Sequence, residues 1–375
     1  MVVTEIEAKS ILRKHKKIDS WFLSRYGMNL YRGCTHNCVY CDGRAEGYYV
    51  EGEFGCDVAV KVNAVDVLRR ELDPKRKHTP FKRGYIIVGG GVGDSYQPLE
   101  QKYQLTRKTL ELLFEKKLPV HILTKSTLVK RDIDILTKIN EASKAIVSFS
   151  FSSTNEQISR VFEPGVPPPA ERLEIISQFK EKGIACGMFL LPVIPFITDT
   201  KDILEKTIQD ARNVGVNFII FGGMTLKDGR QKQYFFDTLQ RQYPSLVQNY
   251  QMIYRGSKWG EAIPEYYGSL HQMFNILMKS YKIPKRIPPE LYAGLLSEND
   301  VVVVILEHLD YLVKLEGKKS PFGYAAYSIS QLERPLSEMT GKLQTIKGVG
   351  SSTEKIILEI LKTGGSEYYK HLLFG

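Results

Sequence analysis

The chain of 375 residues has no uninterrupted apolar stretch long enough to cross a bilayer as a helix, which takes about 20 consecutive apolar residues. Its first residues, Met1-Val2-Val3-Thr4-Glu5, lack the basic-then-apolar pattern of a secretory signal. Cysteine is scarce: five in the whole chain, three of them clustered, do not make a secreted disulfide framework. These deficits argue against a spanning helix and a disulfide scaffold, so the expected setting is the cytoplasm, with no membrane partner. Acidic residues are also short, 42 Asp and Glu against 52 Lys and Arg, which leaves a net charge of +10 and favours an anionic partner. Most of the excess lies before residue 246, in two clusters: Arg13, Lys14, Lys16 and Lys17, then Lys75, Arg76, Lys77, Lys82 and Arg83. Either can track a phosphate backbone or form a solvated face. Hydrophobic content of 43% is ordinary for a globular protein, and the length suits one sizeable domain with smaller appendages.

The few cysteines are placed in a telling way. Cys34, Cys38 and Cys41 follow one another with spacing C-x3-C-x2-C, close enough for a looping backbone to turn their sulfurs toward one metal centre. A structural zinc wants four closed ligands, whereas an iron-sulfur cube held by three cysteines leaves one iron open to a substrate or cofactor. A zinc site completed by His36, or three buried thiols, remain open alternatives at this point.

Downstream, a β-branched run, a glycine or polar turn and an amphipathic helix recur. Strands are expected at Tyr85-Val88, Val120-Leu123, Ala145-Phe151, Cys186-Pro192 and Asn217-Phe221, with helices at Glu100-Lys116, Arg131-Glu141, Pro169-Lys182 and Thr200-Val214. Strands alternating with helices of this length predict a parallel sheet with helices outside. Counting the strand that begins near Val58, there are about six β/α units, fewer than the eight of a closed barrel. Ligand-binding groups then belong at the carboxyl ends of the strands. Gly89-Gly90-Gly91 stands at one such end, where missing side chains let backbone approach a ligand. Lys125 stands at another, able to make a charge-assisted bond to a carboxylate. Ser148 and Ser150 share one face of their strand, so both hydroxyls can point to a polar cofactor.

The order of these motifs resembles the radical S-adenosylmethionine (SAM) superfamily, in its spore photoproduct lyase-like branch. The likeness runs through the cysteine triplet, Asp94-Ser95-Tyr96-Gln97-Pro98-Leu99-Glu100, Thr124-Lys125-Ser126, Arg131-Asp132-Ile133-Asp134, Ser148-Phe149-Ser150, Glu163-Pro164, Pro168, Arg172 and Pro192-Val193-Ile194-Pro195, over roughly residues 28–225. It implies an α/β fold, a partial (β/α)6 TIM-type barrel with a C-terminal helical extension. It also implies a 4Fe-4S cluster on Cys34, Cys38 and Cys41, whose free iron chelates SAM. Tyr40 would then lie near the adenine, Gly89, Gly90 and Gly91 would hold the amino group, Lys125 would bond the carboxylate, Asp94 would bind a ribose hydroxyl, and Tyr96 would stack or donate. An electron donor such as ferredoxin or flavodoxin follows from the same resemblance. The expected organisation is an N-terminal lead-in (1–27), a radical SAM core (28–228), an accessory helical region (229–335) and a C-terminal element (336–375).

That last element, around Lys347-Gly348-Val349-Gly350-Ser351, resembles a helix-hairpin-helix. Its glycines permit close approach, and free amides at the second helix's start can bind phosphate without reading sequence. Lys347 and Lys355 add charge; the same hairpin can instead serve as a protein contact. The expected activity is cleavage of SAM to a 5′-deoxyadenosyl radical that acts on nucleic acid, DNA in preference to RNA, in photolesion repair. Such repair needs a hydrogen donor, a cysteine in the lyase, for which Cys56 after the flexible Gly55 is the candidate and Cys186 reads as packing. The alternatives are modification of RNA, a peptide or a small metabolite with the tail as a docking module, and a non-catalytic nucleic-acid binder with a structural cluster.

Overall fold

The computed structural model describes residues 1–48, 52–75 and 81–374. Arg76 and Lys77 of the second basic cluster lie outside the described residues. The strands are β1 (Val3–Ile6), β2 (Arg13–Asp19), β3 (Ser24–Met28), β4 (Tyr31–Arg32), β5 (Val58–Lys61), β6 (Tyr85–Val88), β7 (Val120–Thr124), β8 (Ala145–Phe151), β9 (Ala185–Val193) and β10 (Phe218–Gly223). Seven form one sheet in the order β2-β3-β6-β7-β8-β9-β10. From β3 to β10 every pairing is parallel, and β2 is added antiparallel at one edge. Helices at Leu105–Glu115, Ile133–Ser143, Pro169–Glu181 and Lys201–Asn213 connect the parallel strands, giving the curled half-barrel of the partial (β/α)6 type.

The expected six parallel strands are present, but the first is not the one anticipated. Val58–Lys61 belongs to a separate three-stranded sheet, β1-β5-β4. The missing member is β3, earlier in the chain, whose register with β6 brings Met28 opposite Val88. Its sequence, Ser-Arg-Tyr-Gly-Met, is polar to the eye yet buried throughout, because Arg25 forms a buried ion pair with Asp300 from the far end of the chain. The helix anticipated from Glu100 breaks at Gln104, which adopts a left-handed conformation. The Glu100 carboxylate then accepts the Thr106 N–H at 3.0 Å and caps the new helix start.

Alternation along the strands splits the sheet between two cores. Ile86, Val147, Met188 and Ile219 face the outer helices. Tyr85, Ile146, Phe189, Phe218 and Ile220 face inward and meet the C-terminal helices. The run Val301–Ile305, β-branched enough to suggest a strand, lies in the helix Glu298–Leu315, where Val302–Leu306 are fully buried. A helix apolar on all sides needs such a setting. His308 of this helix bridges Ser20 O (3.0 Å) and the Tyr369 hydroxyl (2.7 Å), fastening the last helix, Glu367–Phe374, to the N-terminal segment.

Candidate active site

The carboxyl ends of β6 to β10 open into a cavity of about 440 Å³. The loop after β4 brings Cys34, Cys38 and Cys41 to one wall; Gly89, Gly91 and Lys125, then Ser150 on β8 and Met224 after β10, form the others. The cysteine loop is held by backbone contacts that require particular residues. Gln97 Oε1 accepts the Thr35 N–H at 3.1 Å while its Nε2 donates to Gly33 O at 3.3 Å. Gly165 N–H donates to His36 O, and Val39 N–H to Phe162 O at 2.8 Å. A Cβ at Gly165 would stand 2.5 Å from Thr35 O, so only glycine lets the two backbones meet. Beneath, the Arg44 guanidinium donates to Phe54 O at 3.1 Å and lies 3.5 Å from the centroid of Tyr234. From the helix Arg230–Gln242, Gln231 Nε2 donates to Tyr40 O at 3.0 Å.

His36 is held at both ring nitrogens: Nδ1 is 3.0 Å from Gly165 O and Nε2 3.1 Å from Asp94 Oδ2, so serving as a fourth metal ligand would break one of these contacts. Among the described residues no group of three or more His, Cys, Asp or Glu side chains is disposed to hold a metal ion. Three thiols around a shared cavity suit a cluster, where each sulfur takes a different iron, better than one zinc. Burial pushes the Cys34 and Cys41 thiols up from their ordinary range, and that of Cys38 up to about 12. A bound cation must displace those protons.

Asp94 lines the cavity but has no oxygen to spare for a ribose. Besides His36 it accepts the Lys125 N–H at 2.7 Å, the Tyr96 N–H at 2.8 Å and the Thr124 hydroxyl at 2.8 Å. Burial opposes its ionisation, but His36 and the two backbone N–H groups overcome this and hold the carboxyl below its usual range. Asp94 is thus a clasp joining the cysteine loop to the ends of β6 and β7. Tyr96 is wholly buried and does not reach the cavity wall.

The glycines divide in the same way. Gly89 has φ +88 and a Cβ there would fall 2.6 Å from Leu123 O; Gly91 has φ +119 and open space before it. Gly90 turns away, toward the Ile87 side chain, and is not part of the wall. Ser150 lines the cavity and donates to Leu191 O at 3.0 Å. Ser148 does not: its hydroxyl is fully buried 2.7 Å from His121 Nε2, one step deeper in the half-barrel.

Lys125 Nζ is 3.0 Å from Glu163 Oε1 and 5.5 Å from the Tyr40 ring centroid. Glu163 also accepts Arg172 at 2.9 Å and the Tyr40 hydroxyl. Burial opposes ionisation of Glu163, yet the Lys125 and Arg172 cations hold its carboxyl below the ordinary range. Gln97, Glu163 and Arg172 were visible within the sequence motifs, but their positioning roles depend on contacts between distant segments; Gly165 was not singled out, since its need for glycine arises only from the approach of the cysteine loop.

Cys56, the expected hydrogen donor, is not in the cavity wall; its turn packs behind the cysteine loop, its N–H on Glu53 O. Cys186 is fully buried, its sulfur beside Ile176 O and Ile184 O. In the tail, a 3-10 helix (Leu336–Thr345) and the helix Ser351–Thr363 flank Gly348, which has φ +85 and packs on Tyr324 and Ala325. Val349 and Ile357 are buried, while Lys347, Gly350, Ser351 and Lys355 are exposed.

Comparison with known proteins agrees with this geometry. Residues 28–211 match the radical SAM superfamily. An uncharacterised protein of Mycobacterium tuberculosis is 30% identical over 278 residues, covering 72% of this chain and 79% of its own. One from Methanocaldococcus jannaschii is 30% identical over 231 residues, 61% of this chain and 80% of its own. Among solved structures, a spore photoproduct lyase variant superposes with a TM-score of 0.57 at 15% identity, over 74% of this chain and 79% of that one. Another, with bound AdoMet and a dinucleoside spore photoproduct, gives 0.52 at 15% identity, over 75% and 78%. At such identities the likeness establishes the fold. Together with the sequence match and the cysteine loop at the strand ends, it places this chain in the radical SAM superfamily.

Proposed function

We propose that the chain reductively cleaves SAM at a 4Fe-4S cluster on Cys34, Cys38 and Cys41 and acts on nucleic acid, in the first instance on a DNA photolesion. The observation that carries the reading is the convergence of those three sulfurs, Gly89, Gly91 and Lys125 on one cavity at the ends of parallel strands. When bound, the cluster and SAM supply an electron and a 5′-deoxyadenosyl radical that removes a hydrogen atom from substrate. The chain's own part is placement. Gly89 and Gly91 leave room for backbone contact with a ligand amine, Lys125 offers a cation to a carboxylate, and Tyr40, fixed by Glu163, presents its ring. The nucleic-acid part rests on the exposed amides and lysines of the tail hairpin and on the sequence resemblance to the lyase branch. An electron donor of the ferredoxin or flavodoxin kind completes the proposal.

A second reading, a different modification of nucleic acid, is favoured by one observation. Neither Cys56 nor Cys186 lines the cavity, so no cysteine beyond the cluster triplet stands where a product radical would form. The test is anaerobic: reconstitute the full chain with iron and sulfide, reduce it, add SAM, and follow 5′-deoxyadenosine with and without UV-irradiated DNA. Repair to thymine supports the photolesion reading. SAM cleavage indifferent to irradiated DNA sinks it in favour of the second. Failure to cleave SAM under strong reductant, with the cluster loaded, overturns both.

A further inference from the structure

A second, larger cavity of about 970 Å³ opens beside the edge strand β2, lined by residues 13–21, Arg286 and the helix Glu298–Leu315. At its wall is a buried cation. Arg286 is 2% exposed, and its guanidinium stacks 3.4 Å from the Tyr311 centroid and 5.1 Å from that of Trp21. Among the described residues it has no carboxylate partner; its Nη1 donates to Lys285 O at 3.2 Å, and the Tyr311 hydroxyl lies beside it as a second acceptor. A guanidinium carries five N–H donors and does not lose its charge, so two acceptors leave most of them unmet unless something else completes the set. The flanking rings offset part of that cost.

The carboxylates nearby are already engaged. Glu307 pairs with Lys17, and Asp310 with Lys314 at 2.7 Å. Asp19 Oδ1 accepts the Trp21 N–H at 2.8 Å. Arg13, Lys14 and Lys16 join no ion pair among the described residues, and all three are exposed along β2. Among the described residues the cavity therefore has four cations without an ion-pair partner against one such carboxylate, Asp19, whose oxygen is taken by backbone.

We infer that this cavity is an anion site that takes a phosphate oxyanion onto Arg286, with Lys14 and Lys16 drawing it in from the rim. Planar, bidentate donation from arginine matches phosphate geometry, and the lysines act as point charges. The phosphate comes either from a small phosphorylated compound or from a polynucleotide backbone, and the site stands or falls independently of the radical chemistry.

Trp21 reports on the site directly. The chain has two tryptophans, and the other, Trp259, is 66% exposed and replaceable. Full-length Trp259→Phe protein is titrated in separate arms with inorganic pyrophosphate and with a hexathymidylate, sodium chloride holding ionic strength constant. The expected result is a saturable change in Trp21 emission in at least one arm. Saturation by pyrophosphate assigns a small phosphorylated ligand, and saturation by the oligonucleotide alone assigns the backbone. Arg286→Gln should abolish the response. Lys14→Gln with Lys16→Gln, both exposed and safe for folding, should weaken binding at least threefold. No saturation in either arm, or parent-like affinity in both variants, overturns the proposal.

Discussion

Lys125 Nζ and Glu163 Oε1 lie 3.0 Å apart, and the carboxylate so engaged also holds Arg172 and Tyr40. One group thereby fixes a candidate SAM contact and the aromatic residue of the cysteine loop. Arg172 is fully buried, so Glu163→Gln leaves a buried cation without its counter-ion. The expected loss in urea denaturation is about 3 kcal/mol or more. An unchanged midpoint would show that Arg172 finds another partner.

Lys125→Met separates binding from stability. Glu163 keeps Arg172, so the fold should hold, whereas loss of a charge-assisted hydrogen bond should weaken SAM binding about tenfold or more. Equilibrium binding to the reconstituted protein checks this. Undiminished affinity would reduce Lys125 to a structural partner of Glu163.

His36 and Cys38 should part company in iron content. Cys38→Ser removes a proposed ligand and should abolish the cluster's visible absorption. His36→Gln removes a residue whose ring nitrogens are both occupied by Gly165 O and Asp94. It should keep most of the iron while lowering stability by about 1–3 kcal/mol for the buried contacts disturbed. Equal loss of iron in both variants would restore His36 as a ligand.

Much of the half-barrel was legible because its strands and helices announce themselves by period. Ala145–Phe151 is an apolar run between polar helices and could hardly be anything else. Ser24–Met28 was not legible, since its buried Arg25 makes sense only with Asp300, 275 residues away. The site divides similarly. Cysteine spacing and Gly89 are local signals that the structure gathers into one cavity. Asp94 and Ser148 carry the right chemistry at strand ends, but what they bond to is decided by His36 and His121 from other segments. Sequence shows which side chains can bind a cofactor, and only packing shows which are already taken.

Acid should weaken the fold through two buried histidines. Burial lowers His121 to about 4 and His308 to about 3, against an ordinary value of 6.5. Both stay neutral in the folded chain while the unfolded chain binds their protons below pH 6.5. Stability therefore falls as pH drops from 6.5 toward 4, by about 1.4 kcal/mol per pH unit for each histidine. In chemical denaturation from pH 7 to 4.5, His121→Gln and His308→Gln should each flatten the slope by about that amount. An unaltered slope in both would assign the acid sensitivity to carboxylates.

The tail offers a test in which packing and phosphate binding give opposite results. Gly348 has φ +85, and a Cβ there would stand 2.6 Å from the Tyr324 ring and 3.0 Å from Ala325 N. Gly348→Ala should therefore cost about 1–2 kcal/mol from the backbone alone, with the clash in addition. Lys347 and Lys355 are exposed and should be replaceable by Gln with a change within about 0.5 kcal/mol. If the hairpin binds duplex DNA, each lysine that neutralises a phosphate contributes about 0.9 to the slope of log affinity against log salt. The double Lys347→Gln, Lys355→Gln variant should then lose nearly two units of slope while unfolding at the parent's midpoint. A packed hairpin with no nucleic-acid role predicts the Gly348 effect undiminished and no change in salt dependence, so the two measurements together decide what the exposed amides are for.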